Sequence, residues 1–113
     1  MRVVRRLMIF ETLHESAQRG ELLLVDGGLC HYHKRRDGQL TIREIIILPE
    51  KQRKGIGSAL LRQLQQICGV LNIFAKCPVD LPANEWYKAK GFVLEGIETT
   101  PSGRQLNLWR LPC

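Results

Sequence analysis

No stretch of the sequence is apolar for long enough to cross a membrane. Runs such as Leu22–Val25 and Ile45–Leu48 span four residues, whereas a membrane-spanning helix needs about 20. At the basic N terminus, Leu7–Phe10 is also too short for the core of a signal peptide before Glu11 interrupts it. We therefore predict a cytoplasmic protein without a membrane partner.

Cysteine is scarce, and its spacing does not suit zinc. The four cysteines are separated by 38, 9 and 36 residues, with no C-x-x-C pair. The chain thus lacks the paired ligands of a zinc site and the cysteine density of a disulfide-stabilised miniprotein. We expect free thiols in or near the core and no bound metal. The cysteines are Cys30, Cys68, Cys77 and Cys113.

Aromatic residues are also few, at 6% of the chain, and no aromatic-basic surface motif is present. This scarcity argues against nucleic acid binding. The 17 lysines and arginines against 11 acidic residues, a net charge of +6, still favour a polyanionic partner, and a phosphorylated cofactor meets that requirement. With 113 residues, 44% of them apolar, the chain is long enough for one globular domain, which we place over residues 1–113.

The hydrophobic pattern predicts an N-terminal helix followed by three strands. Apolar residues recur at helical spacing over residues 3–17, and Gly20 ends that helix. Turns at Asp26-Gly27-Gly28 and Asp37-Gly38 then separate three strand-like runs. The third run is rich in β-branched residues, so we expect it to be central and buried on both faces. These strands are predicted over Glu21–Val25, Leu29–Lys34 and Leu40–Leu48.

The second half of the sequence predicts a strand–helix–strand crossover and a closing hairpin. A helix with apolar residues on one face, from Ile56 to Ile67, links the third strand to a fourth, so those two strands should be parallel. A second helix begins at Pro82 and runs to Lys90. The remaining strands are predicted over Val70–Lys76, Phe92–Glu98 and Arg104–Leu111. Together these elements define a mixed α/β class with an antiparallel front half.

The segment between the third strand and the following helix carries the chemistry. Unpaired N–H groups and the dipole at a helix N terminus attract anions, and glycine lets phosphate oxygens approach the backbone. A P-loop is excluded because its lysine would follow the glycines, and a dinucleotide-binding fingerprint is excluded because Leu60 replaces its third glycine. What remains is Gln52-x-x-Gly55-x-Gly57 between a buried strand and an amphipathic helix.

This pattern resembles the acyl-CoA pyrophosphate loop of the GNAT N-acetyltransferases. The flanking Pro49-Glu50 and Gly57-Ser58-Ala59-Leu60-Leu61 fit that family, and Pro82–Phe92 resembles its second signature, a helix that ends in Y-x-x-x-G-F. The resemblance covers about residues 21–111. It implies a mixed, mostly antiparallel sheet with helices on both faces. It also implies transfer of an acetyl group from acetyl-CoA to a primary amine of a small molecule or peptide.

The resemblance also implies which residues bind acetyl-CoA. Main-chain groups of Ile45, Ile46 and Ile47 should bond the pantetheine arm and the acetyl carbonyl, freed by a bulge that splays their strand from its parallel neighbour. Asn84 should bond the pantetheine arm too, unless it serves only as a polar residue of the first helical turn. The pyrophosphate should lie against Gln52, Arg53, Lys54, Gly55, Ile56, Gly57 and Ser58. A bulky side chain at either glycine is expected to abolish CoA binding and leave the fold intact.

For catalysis, the resemblance makes Tyr87 the general acid that protonates the departing thiolate. The alternative is a core tyrosine whose hydroxyl is satisfied by a neighbour. An ammonium acceptor must also lose a proton, and Glu44 is the first candidate for the base, with His31 and His33 behind it. Exposed strand residues with no such role explain all three equally well, and a water relay would need none of them.

The chain departs from the family pattern in two places. Family members usually begin with a strand and two helices, whereas the residues before Glu21 offer one helix at most, so we expect a short member with a reduced N-terminal region. Many members carry a catalytic acid on the strand that follows the crossover helix, and Leu71–Lys76 has none. A second hypothesis therefore stays open: a CoA-binding or basic interaction module that has lost catalysis. Apolar surface left uncovered would favour a homodimer.

Overall fold

The computed structural model describes residues 20–52 and 54–113. Each element predicted within these ranges is present, with ends that differ by a few residues. The helix predicted over residues 3–17 lies outside the described residues, so a single domain over residues 1–113 stays a prediction. The described strands are β1 (Leu22–Val25), β2 (Gly28–Lys34), β3 (Gln39–Ile47), β4 (Asn72–Pro78), β5 (Val93–Thr99) and β6 (Gln105–Pro112), and the helices are α1 (Ile56–Gln65) and α2 (Ala83–Ala89).

The described strands form one six-stranded sheet in the order β1-β2-β3-β4-β6-β5. The β3–β4 pair is parallel, and the other four pairs among these strands are antiparallel. Helix α1 connects the parallel pair, as the strand–helix–strand pattern predicts. The mixed α/β class is therefore confirmed. Within the described ranges, no helix is long and apolar enough to span a membrane.

Strand β3 contains a bulge at its midpoint. Its register against β2 shifts there, because Tyr32 lies opposite Ile42 while the preceding His31 lies opposite Glu44. Arg43 is thus an extra residue on β3 with no partner on β2. An inserted residue reverses the alternation of side chains between the two faces of the strand and bends it locally.

Beyond the bulge, β3 and β4 separate. Their pairing begins at Gln39 and ends where Ile42 meets Ala75, although β3 continues to Ile47 and β4 to Pro78. The second half of β3 consequently pairs with β2 on one side, and its other side faces a gap. This is the splay that the family resemblance predicts.

The prediction that the third strand is buried on both faces is wrong for its second half. Arg43, Glu44 and Ile46 are exposed. The physical reason is the separation from β4, because a strand that leaves its neighbour also loses the side-chain cover that this neighbour provides.

The hydrophobic core lies on one face of the sheet, under both helices. Four leucine and isoleucine side chains of the described core are fully buried, and each such burial stabilises the fold by about 1.5–3 kcal/mol. Those four are Leu40, Leu60, Leu64 and Ile73. The core face also holds Cys30, Ile42, Leu61, Ala75, Cys77, Tyr87, Phe92 and Trp109. A single apolar face thus fixes the position of α1 and α2 relative to the gap between β3 and β4.

The β1–β2 turn packs against the segment that leads into α1. Gly27 has a φ of 87°, and a Cβ on it would lie 2.7 Å from Cγ of Lys51 and 2.9 Å from Cδ1 of Ile56. The backbone N–H of Leu48 donates to the Gly27 carbonyl at 2.9 Å. Glycine is therefore required at position 27 for both its backbone conformation and this close approach.

Candidate functional site

A cleft of about 550 Å³ opens where β3 and β4 separate, between the N terminus of α1 and helix α2. Among the described residues, its lining includes two lysines and no carboxylate, so these side chains attract an anion and none of them repels it. The lining residues are Ile45, Ile47, Lys51, Gln52, Gly55, Ile56, Gly57, Ser58, Pro82, Ala83, Trp86, Tyr87 and Lys90. The structure thus brings most of the sequence-predicted binding residues together.

The N terminus of α1 at this cleft has no side-chain cap. Gly55 is the residue before the helix, with a φ of 78°, and the first turn contains no acidic residue. A Cβ on Gly55 would meet no atom within 4 Å, so the backbone is open to the cleft at this point. The uncapped N–H groups of the first turn, together with the helix dipole, fit an anionic group such as a pyrophosphate.

Gly57 makes a different contribution from the one expected. An added Cβ would lie 2.8 Å from Nε1 of Trp86 and 3.2 Å from Cδ1 of Ile47. The missing side chain therefore makes room first for the Trp86 indole, which packs α2 against the start of α1. A bulky residue at position 57 would therefore have to displace the Trp86 indole, so we now expect it to lower stability as well as CoA binding.

Lys90 is a cleft residue that the sequence analysis missed. It follows the last residue of α2, and its Nζ donates to Oγ of Ser58 at 2.5 Å. Ser58 is the third residue of α1, so the ammonium lies at the N-terminal end of that helix. No local pattern marks this contact, because the two residues are 32 positions apart in the chain.

Tyr87 lies at the inner side of the cleft and is only 5% exposed. Its ring contacts Trp86 and Phe92 edge-on at 5.1 Å and stacks with Trp109 at 6.3 Å. Among the described residues, none hydrogen-bonds to the Tyr87 hydroxyl. Since no buried side-chain oxygen in those ranges lacks a partner, the hydroxyl is accessible from the cleft. Burial raises the pKa of Tyr87 above its usual value, and the nearby thiols add to that shift. The phenol therefore stays protonated at neutral pH.

The bulge determines how the three isoleucines of β3 are placed. Ile45 and Ile47 point into the cleft, whereas Ile46 lies on the opposite face and is exposed. The side-chain amide of Gln52 donates to the Ile47 carbonyl at 3.4 Å and so crosses the mouth of the cleft. Main-chain binding of a ligand by these residues stays a prediction, and the gap beside β4 leaves room for it.

Asn84 connects α2 to the sheet. Its Nδ2 donates to the carbonyls of Pro78 and Leu81, both at 2.8 Å. Its Oδ1 accepts from Nδ2 of Asn107 and from Nε1 of Trp109, both at 2.9 Å. Binding of pantetheine by Asn84 stays a prediction, but four internal hydrogen bonds already use its amide, and it is not among the cleft-lining residues.

The candidates for the base lie on the other face of the sheet. Glu44 is exposed and sits opposite His31 across the β2–β3 pair. His31 is buried rather than exposed, and Nδ1 of His33 contacts the carboxylate of Glu21. Of the cross-strand pair Glu44 and His31, only Glu44 is exposed. The sheet separates it from the cleft.

Two predicted residues of the loop before α1 are not among the described residues that line the cleft. Lys54 is exposed beside the loop, and Arg53 lies outside the described residues. In the described ranges, no group of three or more histidine, cysteine or acidic side chains could hold a metal ion.

The GNAT acetyltransferase domain family matches residues 13–94, more than half of the chain. No curated protein matches the sequence. Several solved structures share the fold at low sequence identity. A GNAT-family protein from Desulfovibrio desulfuricans is 21% identical and superposes with a TM-score of 0.74, over 90% of this chain and 77% of its own.

Two further structures share the fold. A Bacillus anthracis protein solved in complex with acetyl coenzyme A is 19% identical, with a TM-score of 0.68 over 77% of this chain and 56% of its own. A spermidine N-acetyltransferase chimera of Vibrio cholerae is 19% identical, with a TM-score of 0.70 over 93% of this chain and 78% of its own. This chain thus spans little more than half of the Bacillus protein and about three quarters of the other two.

Proposed function

The chain belongs to the GNAT acetyltransferase family, and from that premise we propose that it transfers the acetyl group of acetyl-CoA to a primary amine of its acceptor. The observation that carries the proposal is the uncapped N terminus of α1, which opens through Gly55 into a basic-lined cleft beside the gap between β3 and β4. An anionic, elongated cofactor fits both parts of this arrangement: its phosphates match the helix terminus, and its arm matches the gap.

In this proposal the phosphates lie against the first turn of α1 and the pantetheine arm runs along β3. The backbone groups of Ile45, Ile46 and Ile47 that point toward β4 have no strand partner there, since pairing ends at Ile42. A peptide-like arm can use those groups much as an additional strand would. A backbone N–H near the acetyl carbonyl would stabilise the negative charge that develops on its oxygen during transfer.

Tyr87 is proposed to act on the leaving group. Its phenol is protonated, buried and without a hydrogen-bond partner among the described residues, so it is available to a sulfur placed in the cleft. As the carbon–sulfur bond breaks, negative charge grows on the sulfur, and the phenol donates its hydrogen bond and then its proton to the thiolate. The raised pKa of Tyr87 keeps its phenol protonated. The proton is therefore transferred only when the negative charge on the sulfur is well developed.

The acceptor amine is proposed to approach from the opposite face of the sheet. Glu44 is exposed there, at the bulge where β3 and β4 begin to separate. An amine that enters the gap from this side would attack the thioester carbonyl carbon from one face of its plane, and the C–S bond would break as the tetrahedral intermediate collapses. Glu44 could accept the amine's proton directly or through water. The acceptor is a small molecule or a peptide, and the shared fold of a spermidine N-acetyltransferase fits the first of these. We further propose a cytoplasmic location, which suits four free thiols.

The test is CoA thiol release from acetyl-CoA in the presence of primary amines, including polyamines and peptides with free N termini. Amine-dependent release, with one acetylated product per thiol, supports the proposal. CoA binding without amine-dependent release across the panel would favour the second hypothesis, a binding module that has lost catalysis. A chain that does not bind CoA would contradict both.

A further inference from the structure

Lys90 occupies a position that is electrostatically unfavourable for a cation. Its ammonium donates to Oγ of Ser58 in the first turn of α1, where the dipole presents positive charge. Helix N termini favour anions, and a cation placed there is opposed by the same field. A lysine at the end of α2 could instead extend into solvent, because its stem is long and flexible.

In the part of the chain that the structure describes, no acidic side chain compensates for this placement. Among the described residues, no carboxylate lies within 4.0 Å of the Lys90 ammonium. The first turn of α1 contains no acidic residue, and no acidic side chain of residues 20–52 or 54–113 lines the cleft. Two sources of positive charge therefore face each other across the entrance, with Ser58 between them.

A second observation places a ligand in the same cleft. Tyr87 lines the cleft and is only 5% exposed. Its hydroxyl has no hydrogen-bond partner among the described residues. Because no buried side-chain oxygen or nitrogen in the described ranges lacks a partner, the unpartnered hydroxyl is accessible from the cleft, where a bound molecule could hydrogen-bond to it. Within the described ranges, the cleft thus carries an unpartnered hydroxyl at Tyr87 and, at Lys90, an ammonium whose hydrogen-bond partner is the neutral Ser58 hydroxyl.

We propose that Lys90 is a ligand of the CoA pyrophosphate and completes its binding site from helix α2. An anion held between the Lys90 ammonium and the first-turn amides of α1 would interact favourably with both, and charge-assisted hydrogen bonds of this kind are the strong ones. The bound phosphate would also replace Ser58 as the partner of Lys90 and link the two helices across the cleft. This inference rests on the proposed function, because it assumes that CoA binds at α1.

The experiment compares Lys90→Met with Lys88→Met, a matched control on the exposed side of the same helix. Titration calorimetry would measure the Kd of CoA and of dephospho-CoA, which keeps the pyrophosphate and lacks the 3′-phosphate. Lys90→Met should weaken both ligands by about 10-fold or more, since a charge-assisted contact is lost. Lys88→Met should bind like the wild type, and Lys90→Arg should keep most of the affinity. Higher salt should reduce the difference in CoA Kd between the wild type and Lys90→Met, because salt screens the charge interaction.

Three results would overturn the inference. Equal CoA affinity in Lys90→Met and Lys88→Met would remove Lys90 from the site. Weaker binding of CoA with unchanged binding of dephospho-CoA would assign the lysine to the 3′-phosphate instead. A ligand-free melting temperature of Lys90→Met several degrees below that of Lys88→Met would assign it a packing role. A wild-type chain with no affinity for CoA is a separate outcome, because it would contradict the proposed function itself.

Discussion

Tyr87 is the residue on which the proposed chemistry depends most. Replacing it with phenylalanine keeps the ring contacts with Trp86, Phe92 and Trp109 and removes the proton donor. Turnover should fall by about 10²–10⁴-fold if the phenol is the sole general acid, while the Kd of CoA should barely change. Steady-state thiol release and calorimetry would measure the two quantities.

The matched control for this variant is Tyr32→Phe. The Tyr32 hydroxyl donates to the Gly20 carbonyl at 2.7 Å and does not line the cleft, so its loss should leave turnover nearly unchanged. Full turnover in Tyr87→Phe would return Tyr87 to a packing role.

Burial of Cys30 makes the stability of the fold sensitive to alkaline pH. Burial raises the pKa of the Cys30 thiol from 9.0 to about 12. Below pH 9 the thiol is protonated in both states and this contribution is intact. Between pH 9 and 12 the unfolded chain releases a proton that the folded chain retains, so the free energy of unfolding falls by up to about 1.4 kcal/mol per pH unit. The Tyr87 phenol, whose pKa is also raised by burial, acts in the same direction.

Melting temperatures measured by circular dichroism between pH 7 and 11 would check this linkage. Cys30→Ala should melt lower than the wild type at pH 7, because it leaves a cavity in the core. Its decline above pH 9 should nevertheless be shallower, since one titrating group is gone. Parallel declines for the two proteins would show that Cys30 does not carry the effect.

At the scale of elements, the two glycines at the start of α1 should differ in what they tolerate. Gly57→Ala places a Cβ 2.8 Å from the Trp86 indole, so the packing between the helices should suffer by about 1–3 kcal/mol. Gly55→Asn points into open space, and asparagine tolerates a positive φ, so its stability should stay within about 1 kcal/mol of the wild type. Its side chain nevertheless projects toward the anion site and should weaken CoA binding.

Thermal unfolding and CoA titration of both variants would separate these effects. The expected pattern is a lowered melting temperature for Gly57→Ala and an almost unchanged one for Gly55→Asn, with weaker CoA binding in both. Unchanged CoA affinity in Gly55→Asn would argue against a pyrophosphate at the head of α1.

The elements themselves were largely predictable because each carries a local pattern. Glycine and proline mark the turns, alternating or β-branched residues mark the strands, and the spacing of Leu60, Leu61 and Leu64 marks one face of α1. The bulge in β3 also has a trace in the sequence. Leu40 and Ile42 point into the core, and Ile45 and Ile47 do so after the bulge, so the alternation changes phase between them.

The contacts between elements were much less predictable. Helices α1 and α2 are joined by two contacts, Trp86 with Gly57 and Lys90 with Ser58. A strand separates these helices in the chain, so no repeating sequence pattern connects the residues that meet. The role of Asn84 is equally hidden, because its partners include residues of β6. Sequence patterns therefore located the glycine-containing loop that lines the cleft before α1, while the α2 side of the cleft emerged only from the packing.

At the scale of the whole molecule, β5 leaves an apolar surface at the edge of the sheet. Leu94 (48% exposed) and Ile97 (57% exposed) share one face of this strand, and Val93 (58% exposed) lies on the other. An edge strand also presents unpaired backbone groups, and a two-fold dimer is the commonest way to bury a self-complementary patch. We therefore expect a homodimer that forms through β5.

Light scattering at micromolar concentration would give the mass. A particle near twice 13.0 kDa is expected for the wild type, and Ile97→Lys should shift it toward the monomer by placing a charge in the patch. The melting temperature of the variant serves as the control for folding. A wild-type particle near 13.0 kDa would defeat the expectation.

The most direct test of the account is a crystal structure of the chain with CoA. The pyrophosphate oxygens should lie within about 3 Å of the backbone nitrogens in the first turn of α1, with the pantetheine arm in the gap between β3 and β4 and the sulfur beside Tyr87. CoA bound elsewhere on the molecule, or with its pyrophosphate away from Gly55 and Gly57, would contradict the account.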